Sequence, residues 1–278
     1  MKLTPRLERL VLMARAFDSA NRALADVLRT KQFEAELNLE APTSAEVRLG
    51  LASRQLRLLS YVAGNPMLWH HPVGEYFLRP MVDTRILATW LIARNDPELF
   101  EKFKSFGAGR LKLHKLHLED FVEDEELHGE FEGFLDYLDK RINSETLEEF
   151  QSVDLSGNFS GISIRDMAIQ AGLKRLYDLH YAPLSAELHG EWQSLEEWDL
   201  GVSDDPLHQS HRFGTFDAPQ EGVAIQIVGH AFFLMADTVT EIFTSLGLDI
   251  GAEIETCGVA FTAAIKRARE STEAESDR

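Results

Sequence analysis

The stretch Tyr181-Ala-Pro-Leu-Ser-Ala-Glu-Leu-His-Gly-Glu-Trp192 lies at the end of a segment, residues 173–190, that reads as a helix. Ser185 and His189 are four residues apart, which places both side chains on one face of a helix. Tyr181 and Trp192 flank the pair, and we expect them to support it. A second polar cluster, Pro206-Leu-His-Gln-Ser-His-Arg212, follows. We expect the function of the chain to reside in these two stretches.

Outward from this segment, apolar residues recur at three- and four-residue intervals through most of the chain, for example over residues 4–31. Convincing strand alternation is not found. We therefore predict an all-α fold, a multi-helix bundle of about eight to ten helices. We expect a single helical domain over residues 1–278, with a soft boundary near residues 143–162 between an N-terminal helical array and a C-terminal bundle that carries the motif.

Two stretches with helix-breaking residues qualify this pattern. Residues 201–220 contain glycines, prolines and an Asp-Asp pair without periodicity, and we predict one long ordered loop there. Asp96-Pro97-Glu98 is a strong helix start, but that helix meets Gly107-Ala-Gly109 and is expected to be interrupted.

Composition is that of a soluble globular protein, with a formal charge of −18 over 278 residues. The surface as a whole repels nucleic acid and anionic membranes. Charge is uneven, because residues 119–149 carry thirteen acidic residues while residues 1–31 have a balance of +4. Cys257 is the only cysteine, and the apolar run 223–236 is short and interrupted by polar residues. We expect a cytoplasmic protein without a disulfide framework, that does not enter a membrane.

Ser185 and His189 allow two interpretations. A hydroxyl beside an imidazole can take part in proton transfer, with His189 as base or donor. The same spacing is frequent on any helix, and the pair then only contacts a neighbouring helix.

His208 and His211 form a His-x-x-His pair, which could bind a metal with the help of His189, Glu187 or Glu191, although we expect no cofactor. Arg212 beside them is better suited to an anion such as a phosphate or carboxylate. The structural alternative is a loop held by an ion pair from Arg212 to Asp204, Asp205 or Asp217.

Two further patterns carry little weight. Arg175 and His180, and likewise Arg110 and His117, have the spacing used by the all-helical HEPN ribonucleases, but a chain with nineteen Arg and ten His contains such pairs by chance. Residues 163–178 have the beginning of a helix-turn-helix, but the second helix lacks the basic residues of a DNA reader. We expect no sequence-specific DNA binding.

Several elements in order resemble an uncharacterised bacterial helical family, a domain of unknown function with the signature Tyr-x-x-Leu-Ser-x-x-x-His-Gly. They are Ser163 to Ala168, Tyr181, Leu184-Ser185, Leu188 to Gly190, and Pro206 to Arg212. Arg85-Ile-Leu-Ala-Thr-Trp90 resembles the family's Arg-x-Leu-x-Glu element, with Thr89 or Trp90 where a Glu is common. The resemblance implies that the polar motif residues form a shared core.

We predict that His189, Ser185, His208 and His211 are catalytic and that Arg212 and Arg85 bind an anion. The favoured function is a metal-independent hydrolase of phosphoesters or RNA, a toxin or defence effector. The alternative is a helical binding module for a protein or a small anionic ligand, in which the cluster is structural. A homodimer through the two C-terminal helices is a further expectation.

Overall fold

The structure is a computed structural model that describes residues 4–35, 42–122, 125–143, 153, 158–203, 205–207, 212–216 and 223–276. Its first half contains α1 (Pro5–Lys31), α2 (Pro42–Gly64), α3 (Val73–Arg94), α4 (Pro97–Phe121) and α5 (Glu125–Ile142), with short 3₁₀ turns at Gln32–Glu34 and Pro66–Leu68. The predicted helix start at Asp96 is confirmed, since its carboxylate accepts the Glu98 N–H. At the start of α1, the Thr4 hydroxyl accepts the Leu7 N–H.

The second half begins with short elements and ends with two long helices. Its elements are α6 (Ile164–Gln170), α7 (Lys174–Leu176), a first π-helical turn (Tyr177–Tyr181), α8 (Ala182–Leu188), α9 (Trp192–Ser194), a second π-helical turn (Leu195–Asp199), the strands β1 (Leu200–Val202) and β2 (Arg212–Gly214), α10 (Gln226–Ser245) and α11 (Gly251–Ser276). The all-α prediction is confirmed, since the described residues otherwise contain only this two-stranded ribbon.

Two local predictions are wrong. β1 and β2 pair antiparallel, with Gly201 opposite Phe213, so part of the expected loop is a ribbon whose backbone groups satisfy one another. α4 continues through Gly107 and Gly109 without a break. Glycine lowers helix propensity by only about 1 kcal/mol, and the capped, 25-residue helix tolerates that cost.

Packing divides the chain into two compact units. The first contains Met1–Leu37, Arg48–Ala93 and Ile164–Arg278, and the second contains Asn38–Val47 and Arg94–Ser163. The first unit thus joins segments from both ends of the chain. A domain boundary near residues 143–162 stays a prediction.

The core of the first unit forms where α1, α11 and the segment before α3 meet. The Phe17 ring is fully buried, stacks on Phe261 at 4.5 Å and lies 5.8 Å from Trp69. The Trp69 indole N–H donates to the Val62 carbonyl at 2.7 Å. Gly74 lies so close to α10 that an added Cβ would be 2.6 Å from Ile227 Cδ1. This close approach fixes the start of α3 against α10.

In the second unit, α4 and α5 are joined by a buried lysine. Lys115 Nζ lies 2.5 Å from Asp139 of α5 and 3.4 Å from Glu119 of its own helix. Its ammonium group is therefore paired with carboxylates in the acidic region that the sequence shows.

α10 is the one helix in the described ranges that is long and apolar enough to cross a membrane. Its apolar residues Ile227, Met235 and Val239 are buried inside the first unit. The core helix of a soluble protein meets the same criteria, so this is weak evidence for a membrane span. The apolar helix is longer than the run at 223–236 that the sequence analysis considered.

Candidate functional site

The helix that carries the motif contains a π-helical turn, which brings two tyrosines together. Tyr177 and Tyr181 stack with ring centroids 4.7 Å apart. The guanidinium of Arg79 on α3 lies 3.4 Å from the centre of the Tyr181 ring, a cation–π contact. Tyr181 therefore anchors this helix on α3, and π-helical turns of this kind are frequent at functional sites.

Arg79 also pairs with Asp83 one turn further along α3. Burial raises the pKa of the Asp83 carboxyl, and Arg79 opposes that effect. Burial likewise raises the pKa of the Tyr181 hydroxyl, with the Asp83 charge adding to it. Arg79 is thus used internally, by a carboxylate and by an aromatic ring.

Ser185 and His189 lie at the end of α8, with their backbones hydrogen-bonded to each other. The His189 N–H donates to the Ser185 carbonyl at 3.0 Å, and the chain then turns at Gly190 with φ +60°. His189 is exposed, and nothing in the described part of the chain bonds to its ring. Trp192 is 62 % exposed. The expected face is present, and the catalytic role of the pair stays a prediction.

Glu187 lies between Ser185 and His189 in the sequence, and its side chain is on the opposite, inward face of α8. A spacing of two residues corresponds to a rotation of about 200° around a helix. Glu187 is only 9 % exposed, and its Oε1 atom has no hydrogen-bond partner among the described residues. Burial raises the pKa of its carboxyl, while hydrogen bonds from Ser194 and Trp198 lower it. From the sequence, Glu187 was considered only as a side chain that could help His208 and His211 bind a metal, and not as a buried acid. The available signal was a lone acid three residues after Leu184 on the inward face.

A histidine and a second glutamate from the start of α3 lie near Glu187. His71 Nδ1 is 2.8 Å from Glu75 Oε1, although the angle is not that of a hydrogen bond. The His71 ring stacks on Trp198, at 5.7 Å and 7° between planes, and its Nε2 is 3.4 Å from Gln226 Nε2. Trp198 therefore contacts both the histidine and the Glu187 carboxyl.

These charges influence one another. The Glu75 carboxylate contributes to the raised pKa of Glu187. Burial raises the pKa of the neighbouring Tyr76 hydroxyl, and the charges of Glu187, Asp199 and Glu75 raise it further. We name His71, Glu75, Glu187 and Trp198 the Glu187 cluster. It combines a carboxyl whose pKa is raised by burial with an imidazole beside a carboxylate.

The expected anion-binding arginines have carboxylate partners. Arg212 on β2 pairs with Glu196 of the second π-helical turn, a residue that the sequence analysis did not consider for it. His208 and His211, like Asp204 and Asp217, lie outside the described residues. Their expected convergence with His189 stays a prediction.

Arg85 on α3 pairs with Glu241 of α10 and donates to the Asp237 carbonyl at 3.2 Å. The Thr89 hydroxyl donates to the same Glu241 carboxylate at 2.8 Å. The resemblance places a Glu in the Arg85 helix, but here the carboxylate comes from Glu241 of α10. Thr89 is shorter than a Glu and leaves room for the Glu241 side chain. An external anion would have to displace Glu241.

The two pairs with HEPN-like spacing are on exposed surfaces. Arg110 and His117 are both exposed on α4, and Arg175 and His180 are exposed where α7 enters the π-helical turn. His180 faces His230 of α10 with ring centroids 5.9 Å apart. Burial and the His230 charge lower the pKa of His180.

Within the described ranges, no group of three His, Cys, Asp or Glu side chains is arranged to hold a metal ion. Three side chains of the expected metal set are described, His189, Glu187 and Glu191, and they do not form such a group. The carboxyl and the imidazole of the Glu187 cluster are groups that can transfer protons.

Comparison with known proteins places the cluster inside a recognised sequence family. No curated protein and no solved structure matches the chain. A family described as "Family of unknown function (DUF5677)" matches residues 49–206, which is more than half of the chain. That match includes His71, Glu75, Glu187 and Trp198. The chain belongs to DUF5677, a family of unknown function.

Proposed function

We propose that the protein is a hydrolase in which the Glu187 cluster transfers protons, and that its substrate is a phosphoester, with RNA as one member of that class. One observation carries the proposal. A nearly buried carboxyl with one unpartnered oxygen lies beside a His–Glu pair, and Trp198 contacts both. A general acid and a general base with separated proton affinities are the usual requirement for hydrolysis near neutral pH.

Glu187 is the general acid. Its raised pKa keeps more of the carboxyl protonated than for an exposed glutamate. Its Oε1 atom is buried and has no hydrogen-bond partner among the described residues, so it is the oxygen that holds the proton. In the reaction Glu187 gives its proton to the leaving oxygen as the P–O bond breaks, so the product leaves as an alcohol.

His71 is the general base. Glu75 lies beside its Nδ1 atom, which favours the tautomer with an unprotonated Nε2; the attacking water then takes the place of the Gln226 amide, which lies 3.4 Å from Nε2. Nε2 removes a proton from water while the water oxygen forms the new P–O bond. The imperfect His71–Glu75 angle is compatible with this role, since catalytic hydrogen bonds often tighten only when substrate binds.

The test compares hydrolysis of RNA and of a chromogenic phosphodiester by wild type, Glu187→Gln and His71→Asn, with and without chelator. Loss of a general acid or base lowers kcat by about 10²- to 10⁴-fold. Glu191→Gln is the matched control, an exposed glutamate near the same helix. We expect Glu191→Gln to retain wild-type kcat. In wild type the rate should fall at high pH as the Glu187 carboxyl loses its proton, and this fall should be absent in Glu187→Gln.

His189→Ala separates this proposal from the one made from sequence. Because His189 is exposed and on the other side of α8, we expect its variant to keep most of the activity. If His189→Ala loses activity while Glu187→Gln keeps wild-type activity, the Ser185–His189 pair is the catalytic one. Equal turnover by all variants would favour the alternative, a helical binding module.

A further inference from the structure

Three arginines of α1 recur every seven residues, at Arg15, Arg22 and Arg29. A spacing of seven residues is close to two helical turns, so these side chains form one stripe along the helix. All three are exposed. The stripe lies outside the residues of the DUF5677 match and apart from the Glu187 cluster.

The stripe borders a cleft between α1 and α2. The cleft has a volume of about 340 Å³ and is lined by Arg22 and Arg29 of α1 and by Ser53, Arg57 and Ser60 of α2, among others. A second cleft of about 680 Å³ shares Arg22 and Ser60 with it and extends to Arg15. We name the two clefts together the arginine groove. Both volumes fall in the range of small-ligand sites, about 300–1,000 Å³.

The charge of the groove is available to a ligand. Among the described residues, no carboxylate lines the first cleft, and Asp18 lines the second. Arg22 and Arg29 pair at 2.8 Å with Asp18 and Asp26 on their own helix, but such exposed pairs are weak. Arg57 has neither a hydrogen bond nor an ion pair within the described part of the chain. Guanidinium groups that are free or weakly held are suited to bidentate binding of phosphate.

Asn21 provides an independent indication of a ligand. It lines the first cleft and is only 2 % exposed. Its Nδ2 atom donates to the Leu56 carbonyl at 3.1 Å and to Ser60 Oγ at 2.5 Å, whereas its Oδ1 atom receives no hydrogen bond from the described residues. A buried acceptor without a donor is unfavourable, so the site lacks a donor such as a hydroxyl group.

We propose that the arginine groove binds a phosphate ester that carries hydroxyl groups, the chemistry of a ribose phosphate. Arg22, Arg29 and Arg57 hold the phosphate, and a ligand hydroxyl donates to Asn21 Oδ1. The ligand is of mononucleotide size, because the first cleft that contains Asn21 has a volume of only about 340 Å³.

The experiment is calorimetric titration of the full chain with inorganic phosphate, ribose 5-phosphate, adenosine 5′-monophosphate and a short oligoadenylate. The mononucleotide and the sugar phosphate are expected to bind more tightly than inorganic phosphate. Arg57→Gln is expected to weaken their binding about tenfold, because it removes one charge-assisted contact. Arg54→Gln is the matched control, an exposed arginine of the same helix that does not line the groove.

Three results would overturn the proposal. One is the absence of saturable binding of any phosphate ester. Another is an equal loss of binding in Arg54→Gln and Arg57→Gln, which would indicate attraction by overall charge. The third is binding of the oligoadenylate alone, which would assign the groove to an RNA strand. Circular dichroism of both variants checks that each is folded, and these outcomes are independent of hydrolysis at the Glu187 cluster.

Discussion

The ion pair between Arg85 and Glu241 should stabilise the fold rather than bind an external anion, and replacing Arg85 by Met tests this. The Arg85 side chain is 15 % exposed and that of Glu241 is 29 % exposed. Removal of one partner from a fully buried pair costs about 3–5 kcal/mol, because the other charge remains uncompensated. Partial exposure of Glu241 allows some hydration, so we expect Arg85→Met to lower the free energy of unfolding by about 2 kcal/mol.

Urea unfolding of a double-mutant cycle measures the pair itself. With Glu241→Met present, Arg85→Met should cost much less, since no buried charge is then left alone. The coupling energy should be about 1–2 kcal/mol. Arg22→Met is the control, because its 76 %-exposed side chain pairs with Asp18 on the surface, and its effect should stay within about 0.5 kcal/mol.

A cost for Arg85→Met no larger than that of Arg22→Met would refute the reasoning. So would a coupling energy near zero. Phosphate provides a second readout, since an anion-binding Arg85 would let phosphate raise the Tm of wild type through this residue. If Glu241 occupies the guanidinium, any rise in Tm with phosphate should be the same in wild type and in Arg85→Met.

Three other perturbations have defined outcomes. Gly74→Ala should destabilise the protein by about 3 kcal/mol in urea unfolding, because its Cβ would overlap the Leu68 carbonyl oxygen and be 2.6 Å from Ile227 Cδ1. At Gly64 the nearest atom is 3.8 Å away, and Ala should be tolerated. Glu187→Gln should raise the Tm relative to wild type more at pH 7 than at pH 4. Folding raises the pKa of Glu187 above 4.5, so the folded state binds more protons than the unfolded state, and wild type loses stability as the pH rises above 4.5. A difference in Tm that does not change with pH would contradict the assignment. Cys257 is 4 % exposed, and burial raises the pKa of its thiol to about 11. Its reaction with a disulfide reagent at pH 8 should therefore require unfolding. Rapid labelling of the native protein would contradict the burial of this thiol.

Much of the helical architecture could be predicted because its signals are local. Asp96 caps α4 as the sequence indicates, and α2 ends at Gly64 before Asn65-Pro66. Caps and proline positions act over a few residues, so they can be read without knowledge of tertiary contacts. The pairing of β1 with β2 depends on residues ten or more positions apart, and three-residue strands have no alternation long enough to recognise.

The candidate site was harder to predict, because burial decides it. Ser185 and His189 are a visible pair, but the residue with the perturbed pKa is Glu187 between them, which one turn of helix geometry places inside. Its neighbours His71 and Glu75 lie more than a hundred residues earlier in the chain. In the same way, the carboxylate expected near Arg85 comes from Glu241, and no spacing within α3 could indicate it.

The first π-helical turn has a consequence for the length of the chain. Such a turn accommodates one additional residue within a helix while the segments on either side keep their directions. Removal of one residue between Tyr177 and Tyr181 would therefore convert the turn into ordinary helix and leave Leu184 and Glu187 facing inward. The same deletion within α8 would rotate the following side chains by about 100°. Relatives of this chain can thus differ by a single-residue insertion at the tyrosine pair and keep the same interior acid.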